Sequence, residues 1–194
     1  MSEPSRPTFK CRKLGAKLRR MREQAGLTLR QAAPRLDKQR SALHRVETGQ
    51  TKADVHLVRS MMDLYDCYDE DLLEETREAL KPPWYRAYGL KNMGYLDVET
   101  EAERVMEFVL TDIPGLLQTE AYMRALFAGG ISRSANQMAR DIEVRRVRQH
   151  RLTDADRPLE LVVVIHETAL HRELGDPEVM REQLLHLIEM SNLR

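Results

Sequence analysis

Apolar residues in the first eighty positions recur at the spacing of amphipathic helices. Leu14, Leu18 and Met21 lie at i, i+4 and i+7, which predicts a helix from about Cys11 to Ala25. Four further short helices are predicted over about 29–36, 39–47, 54–64 and 69–80, each with apolar residues on one face. The pattern therefore predicts a complete five-helix domain over residues 1–81.

Helix boundaries in this domain carry their usual signals. Gly26 stands where a helix commonly ends in the left-handed conformation, and Gly49 follows the third helix in the same way. Thr28 with Gln31 three residues later forms a capping-box pattern that opens the second helix. A tight break near Asp37 separates the second and third helices.

The pattern changes after Pro82 and Pro83, which end the fifth helix. Residues 82–96 hold four of the chain's ten aromatic residues and are interpreted as an aromatic linker, and residues 97–194 as an α+β domain. Strands are predicted over about 105–111 and 159–165, the second as a buried strand, with helices near 98–103, 119–127, 135–152 and after Asp176. The fold class is mainly α, with a five-helix domain followed by a partial α+β domain.

Two isolated strands need more sheet to be stable. The chain stops directly after the last predicted helix. We therefore expect the second domain to be incomplete in this sequence, as in a truncated chain, or to be completed by a partner.

Charge is distributed unevenly along the chain, although 31 Lys and Arg balance 31 Asp and Glu. Residues 1–60 hold 15 basic and 5 acidic side chains, whereas residues 61–194 hold 16 and 26. This asymmetry between the two segments favours an interaction role, because like charge concentrated on a small domain sets a local field. The sequence has no apolar run of membrane-spanning length, no signal peptide and two distant cysteines, so we expect a cytoplasmic protein.

The third helix is the most informative element. Leu43 and Val46 are its expected core residues, and its remaining side chains are left for solvent or a partner. Two short helices joined by a tight turn, the second almost bare of core residues, describe a helix-turn-helix. In that motif the second helix lies in the DNA major groove, where Arg and Gln form two-pronged hydrogen bonds to base edges.

The stretch from Leu14 to about Leu64, including GLTLRQAAPRLDKQRSALHRVETGQ, resembles the phage-repressor type (Xre/Cro-like) helix-turn-helix. The resemblance implies a buried ion pair between Arg22 and Glu47 and phosphate contacts at Thr28, Thr48 and Lys52. It places the base-reading positions on the third helix and its start, at Gln39, Arg40, Ser41, His44 and Arg45.

The remainder, notably IPGLLQTEAYMRAL at Ile113 to Leu126, resembles the actinobacterial WhiJ-like regulators, whose second domain has no known biochemical function. The resemblance implies roles in development and secondary metabolism and a small partner protein encoded nearby. We expect a sequence-specific transcriptional regulator that binds double-stranded DNA as a homodimer, with a second domain that senses a protein partner or ligand or mediates dimerisation.

Two residues depart from the helix-turn-helix pattern. Pro34 lies past the first turn of the second helix, where it should kink or shorten that helix, and Asp37 stands where the family usually has glycine. They motivate an alternative function, a protein-interaction adaptor with a decayed helix-turn-helix.

Other candidate functional sites have weaker support in the sequence. His166 and His171 are five residues apart, about 140° around a helix, so they do not share a metal, and no catalytic residues, metal ligands or cofactor loop stand out. We therefore expect neither an enzyme nor a bound cofactor. Trp84, Tyr85 and Tyr88 are candidates for a ligand pocket, although packing is the favoured interpretation of these rings.

Overall fold

The computed structural model describes residues 7–91, 94–130 and 133–192. It divides into two compact units, Met1–Glu101 and Ala102–Arg194. The aromatic segment 82–96 thus lies within the bounds of the first unit. Each unit has its own architecture and is described separately.

All five helices predicted for the first unit are present. They are α1 (Phe9–Gln24), α2 (Leu29–Arg35), α3 (Arg40–Glu47), α4 (Val55–Tyr65) and α5 (Glu70–Leu80). A 3-10 helix, Trp84–Tyr88, and α6 (Gly94–Glu101) follow them. The prediction of a mainly α chain that begins with a five-helix domain is confirmed, with α6 starting four residues before the predicted position.

Side-chain caps explain where these helices begin. The side chains of Thr8, Thr28, Asp54 and Asp69 each accept a hydrogen bond from a backbone amide in the first turn of the next helix. Such caps satisfy amides that have no partner inside the helix. The core beneath them is continuous, with Leu18, Leu43, Val58, Met61 and Leu72 fully buried.

The two departures from the family pattern are accommodated locally. Pro34 lies inside α2, which ends at the next residue, Arg35. The Leu36 amide still donates to the carbonyls of Ala32 and Ala33, so backbone hydrogen bonding continues past the proline. Asp37 adopts a φ of 51°, the left-handed conformation that glycine adopts more easily.

The second unit contains a parallel pair of strands, β1 (Arg104–Val109) and β2 (Glu160–Ile165). Arg104 is paired with Glu160 and Val109 with Ile165 at the two ends of the register. Its helices are α7 (Glu120–Ala128), α8 (Ala135–Gln149), α9 (Glu167–His171) and α10 (Pro177–Ser191), together with 3-10 turns at Gly115–Leu117 and His150–Leu152. The sequence pattern did not predict α9 or the 3-10 turns.

The prediction that the second strand is buried was wrong. Val164 is 57% exposed, and on β1 Met106 and Phe108 are 71% and 65% exposed. Alternate residues of a strand point to opposite faces, and the face with these side chains is left uncovered by the described residues. A continuous apolar run indicates a strand but does not show that both of its faces are covered.

Helix packing holds the rest of the second unit together. Tyr122, Met123 and Leu116 are fully buried, and the Arg145 guanidinium lies 4.6 Å from the centre of the Phe127 ring. Gln183 is also fully buried: its amide nitrogen donates to the Leu117 carbonyl at 2.7 Å and its oxygen accepts from the Thr119 amide at 2.7 Å. These hydrogen bonds join α10 to the turn before α7.

Candidate nucleic-acid interface

Helices α2 and α3 form the helix-turn-helix of the first unit. The α2 capping box is complete: Thr28 Oγ1 accepts from the Gln31 amide and Gln31 Oε1 accepts from the Thr28 amide at 2.9 Å. Ala32 and Ala33 are buried on the α2 side, and Leu43 and Val46 on the α3 side. These small and branched side chains allow close packing of the two helices and leave the opposite face of α3 toward solvent.

The predicted base-reading residues share that solvent-facing surface. All five are exposed, and within the described part of the chain none uses its side chain in a hydrogen bond or ion pair: Gln39, Arg40, Ser41, His44 and Arg45. Gln39 is the residue that precedes α3, and the others are spaced at i, i+3 and i+4 on the helix. This surface carries two guanidinium groups and an amide that are free to form two-pronged hydrogen bonds.

Two of the predicted phosphate-contact residues, Thr28 and Thr48, lie at helix ends, and Lys52 lies in the loop between α3 and α4. Thr28 is exposed at the amino end of α2. Thr48 follows α3, and its hydroxyl donates to the His44 carbonyl at 2.9 Å. The Lys52 ammonium donates to the Leu80 carbonyl at 2.7 Å at the end of α5, and its other two N–H groups are available to an anion.

Arg22 of α1 and Glu47 of α3 form a two-pronged ion pair inside the unit. Arg22 Nε lies 2.6 Å from Glu47 Oε1, and Arg22 Nη2 lies 2.8 Å from Glu47 Oε2. Both residues are about 5% exposed, and Arg22 Nη1 also donates to the Leu27 carbonyl at 2.7 Å. The hydrogen bond to Glu47 raises the pKa of Arg22 and outweighs the opposite effect of burial. The pair fixes the carboxyl end of α3 against α1.

Two glycines bring α1 against α3 at backbone distance. A Cβ at Gly15 would lie 2.6 Å from the carbonyl oxygens of Val46 and Glu47. Gly49 has a φ of +72°, and a Cβ added there would lie 2.8 Å from the Cys11 carbonyl group and the Arg12 amide nitrogen. The position of Gly49 after α3 predicted a helix end, whereas the role of Gly15 was not predicted, because its only sequence signal is a glycine inside an otherwise regular helix.

The three aromatic residues after α5 form an edge-to-face group. The Trp84 ring lies 6.0 Å from Tyr85 and 5.9 Å from Tyr88. The Trp84 ring nitrogen donates to Thr100 at 3.0 Å, and the Tyr85 hydroxyl donates to Asp97 at 2.9 Å. Burial and the bond to Asp97 raise the pKa of Tyr85 to about 12.

Trp84 and Tyr85 line a cavity of about 210 Å³ in the first unit, whereas Tyr88 is absent from its lining. Ligand pockets usually measure about 300–1,000 Å³. Lys10, which also lines the cavity, is held by Glu78 and Glu101, each at 3.4 Å. The size and the paired charges favour packing over ligand binding.

His166 and His171 of the second unit make local contacts. His166 precedes α9, and its ring nitrogen accepts from the Thr168 amide at 3.3 Å. His171 lies 3.3 Å from Glu167 on the same helix. Among the described residues, no group of three or more His, Cys, Asp or Glu is arranged to hold a metal ion.

Comparisons with known families cover both parts of the chain. A model described as a helix-turn-helix domain matches residues 13–76, and a model described as a domain of unknown function (DUF5753) matches residues 93–194. No curated protein and no solved structure matches the chain. The helix-turn-helix match indicates a DNA-binding regulator. Within the described residues, no helix has the length and apolar character needed to cross a membrane.

Proposed function

The chain belongs to the family defined by the domain of unknown function DUF5753, and because a helix-turn-helix domain precedes that domain we propose that the protein is a sequence-specific transcriptional regulator. The exposed surface of α3 is the observation that carries the proposal. Five polar side chains of and beside this helix have no partner among the described residues, while Leu43 and Val46 anchor its other face. A recognition helix needs one face packed firmly in the core and free hydrogen-bonding groups on the other face.

DNA recognition follows from the placement of these groups. With α3 in the major groove, Arg40 and Arg45 form two-pronged hydrogen bonds to guanine edges and Gln39 pairs with adenine. Ser41 and His44 contact neighbouring bases or the groove edge. Thr28, Thr48 and Lys52 contact phosphates and set the register of the protein on the duplex, which adds affinity without sequence preference.

The second domain, by this proposal, senses a small protein partner or a ligand, or holds a homodimer on a two-fold operator. The WhiJ-like resemblance supports a regulator of development or secondary metabolism with a partner encoded nearby. The second domain is moderately acidic, since residues 97–194 hold 18 acidic and 12 basic side chains. This charge gives it little affinity for DNA and leaves DNA reading to the first unit.

Selection from a random duplex library with the full chain tests the proposal. The enriched sequence is then titrated against scrambled DNA with wild type, Arg40→Ala and the control Arg77→Ala, an exposed arginine of α5. We expect Arg40→Ala to cost about 1–3 kcal/mol on the selected sequence and to relax the preference at one base pair. The control should bind as wild type.

Equal affinity of the wild-type chain for selected and scrambled DNA would contradict sequence-specific recognition. Absence of duplex binding at low salt would instead favour the adaptor with a decayed helix-turn-helix. A true DNA binder must lose affinity steeply as salt rises, because phosphate contacts release counterions.

A further inference from the structure

Asp97 of α6 contacts Phe9 at the start of α1, although these two residues are far apart in sequence. Its Oδ2 accepts a hydrogen bond from the Phe9 amide at 2.8 Å, and its Oδ1 accepts from the Tyr85 hydroxyl at 2.9 Å. Phe9 is the first residue of α1, so its amide has no partner within the helix. Asp97 therefore caps α1 from outside, beside the cap from Thr8, with a charge that the helix amino end favours.

The first turns of α1 lie directly against the end of the recognition helix. The backbone of Cys11 and Arg12 lies in close contact with Gly49, which follows α3. One turn further along, Gly15 brings α1 against the last carbonyls of α3. These are backbone contacts without flexible side chains between them, so a shift of the first turn of α1 must move the carboxyl end of α3.

We propose that Asp97 is a positioning residue for the DNA-binding surface, which holds α3 in its DNA-reading position through the first turn of α1. The inference rests on the proposed function. Asp97 lies within the segment matched by the DUF5753 model, yet α6 belongs to the compact unit that contains the helix-turn-helix. The DNA-reading unit is therefore completed by residues that come from the other family domain.

The surroundings of Asp97 make it a fixed anchor. Tyr85, which holds one carboxylate oxygen, is 4% exposed. Lys10 ties the same turn of α1 to Glu101, the last residue of α6, at 3.4 Å. Two residues separate α6 from β1. The chain thus runs from the α6 residues that contact α1 directly into the first strand of the second unit.

Full-length variants distinguish positioning from general stabilisation. Asp97→Leu removes both hydrogen bonds, whereas Asp97→Asn keeps an oxygen for the Phe9 amide and an N–H for the Tyr85 oxygen. Glu75→Leu is the matched control, because Glu75 also contacts α1, through Lys17 at 2.6 Å, but away from its first turn. Each variant is assayed under conditions in which its circular dichroism spectrum shows a folded chain.

Two readouts are needed, and the first involves no DNA. Hydrogen exchange should accelerate in α3 and in the first turn of α1 in Asp97→Leu, with α4 unchanged, and neither Asp97→Asn nor Glu75→Leu should show this pattern. In the second, affinity for the selected duplex should fall about tenfold in Asp97→Leu, and Asp97→Asn should restore it.

Unchanged exchange in α3 of Asp97→Leu overturns the positioning role, whether or not the wild-type chain binds DNA. Exchange that rises equally in α3, α4 and α5 also overturns it, because that pattern shows general loss of stability. If the wild-type chain shows no preference for selected DNA while exchange follows the expected pattern, the proposed function fails and the positioning role stands. If Asp97→Leu binds the selected duplex as tightly as the wild-type chain does, the link between Asp97 and DNA binding is refuted.

Discussion

The Arg22–Glu47 pair provides the most direct test of how α3 is held. Glu47→Leu removes the carboxylate that accepts both hydrogen bonds from Arg22, at 2.6 and 2.8 Å. The Arg22 side chain, 7% exposed, then keeps its bond to the Leu27 carbonyl but has lost its buried counter-charge. A buried charge without a partner retains its desolvation cost and lacks the compensating attraction.

We expect Glu47→Leu to lower the free energy of unfolding of the first unit by about 3–5 kcal/mol, the usual cost of breaking a buried pair. Glu23 supplies the matched control, since its carboxylate also lies near Arg22, at 3.6 Å, but is 50% exposed. Glu23→Leu should cost at most about 1 kcal/mol, as for other surface pairs. Replacing both members of the pair, with Arg22→Met and Glu47→Leu together, should recover most of the loss.

Urea unfolding followed by tryptophan fluorescence measures these values. Trp84 is the chain's single tryptophan and lies in the first unit, so its emission reports on that unit. The midpoint should fall in Glu47→Leu while the slope with denaturant stays constant. A loss equal to that of Glu23→Leu, or a double variant as unstable as the sum of its parts, would refute the reasoning.

Three other substitutions test local features of the first unit. Gly15→Ala places a methyl group against the carbonyls of Val46 and Glu47, so it should cost about 1–3 kcal/mol in urea unfolding and weaken DNA binding in a titration of the still-folded chain. Asp37→Gly should stabilise the unit by about 0.5–1 kcal/mol in the same assay, because φ is 51° there, and an unchanged midpoint would contradict this explanation. Tyr65→Phe should raise stability at neutral pH by about 1 kcal/mol, since the buried hydroxyl has no hydrogen-bond partner in the described residues. Burial raises the pKa of Tyr65 to about 12, so wild-type stability should fall as pH rises from about 10, where the unfolded tyrosine loses its proton, and the fall should be smaller in Tyr65→Phe.

Local sequence signals were sufficient to predict the five helices α1 to α5 of the first unit. Thr28 and Gln31 form the predicted capping box, and Gly26 adopts the predicted left-handed conformation, with φ at 69°. These features depend on residues within one turn of each other, where capping and backbone preferences act without the rest of the fold. The exposed face of α3 was predictable for the same reason, because Leu43 and Val46 are its apolar positions.

Contacts between distant residues were beyond the reach of the sequence pattern. Gly15 looks like an ordinary helical glycine until α3 is packed against it, and Asp97 looks like a surface carboxylate until the amino end of α1 is placed beside it. The exposed face of β1 and β2 was missed because apolar periodicity gives the direction of side chains and does not show what covers them. Burial is a property of the assembled layers.

The parallel pairing of β1 with β2 has a consequence for the order of folding. The two strands are joined by residues 110–159, so their contacts close a loop of about fifty residues, which slows folding. The first unit is built from short helices and turns and depends less on such distant pairing. During synthesis, the recognition helix should therefore reach its final environment while β2 is still being translated. Stalled or nascent chains would already carry a folded helix-turn-helix and could compete with finished molecules for the same DNA.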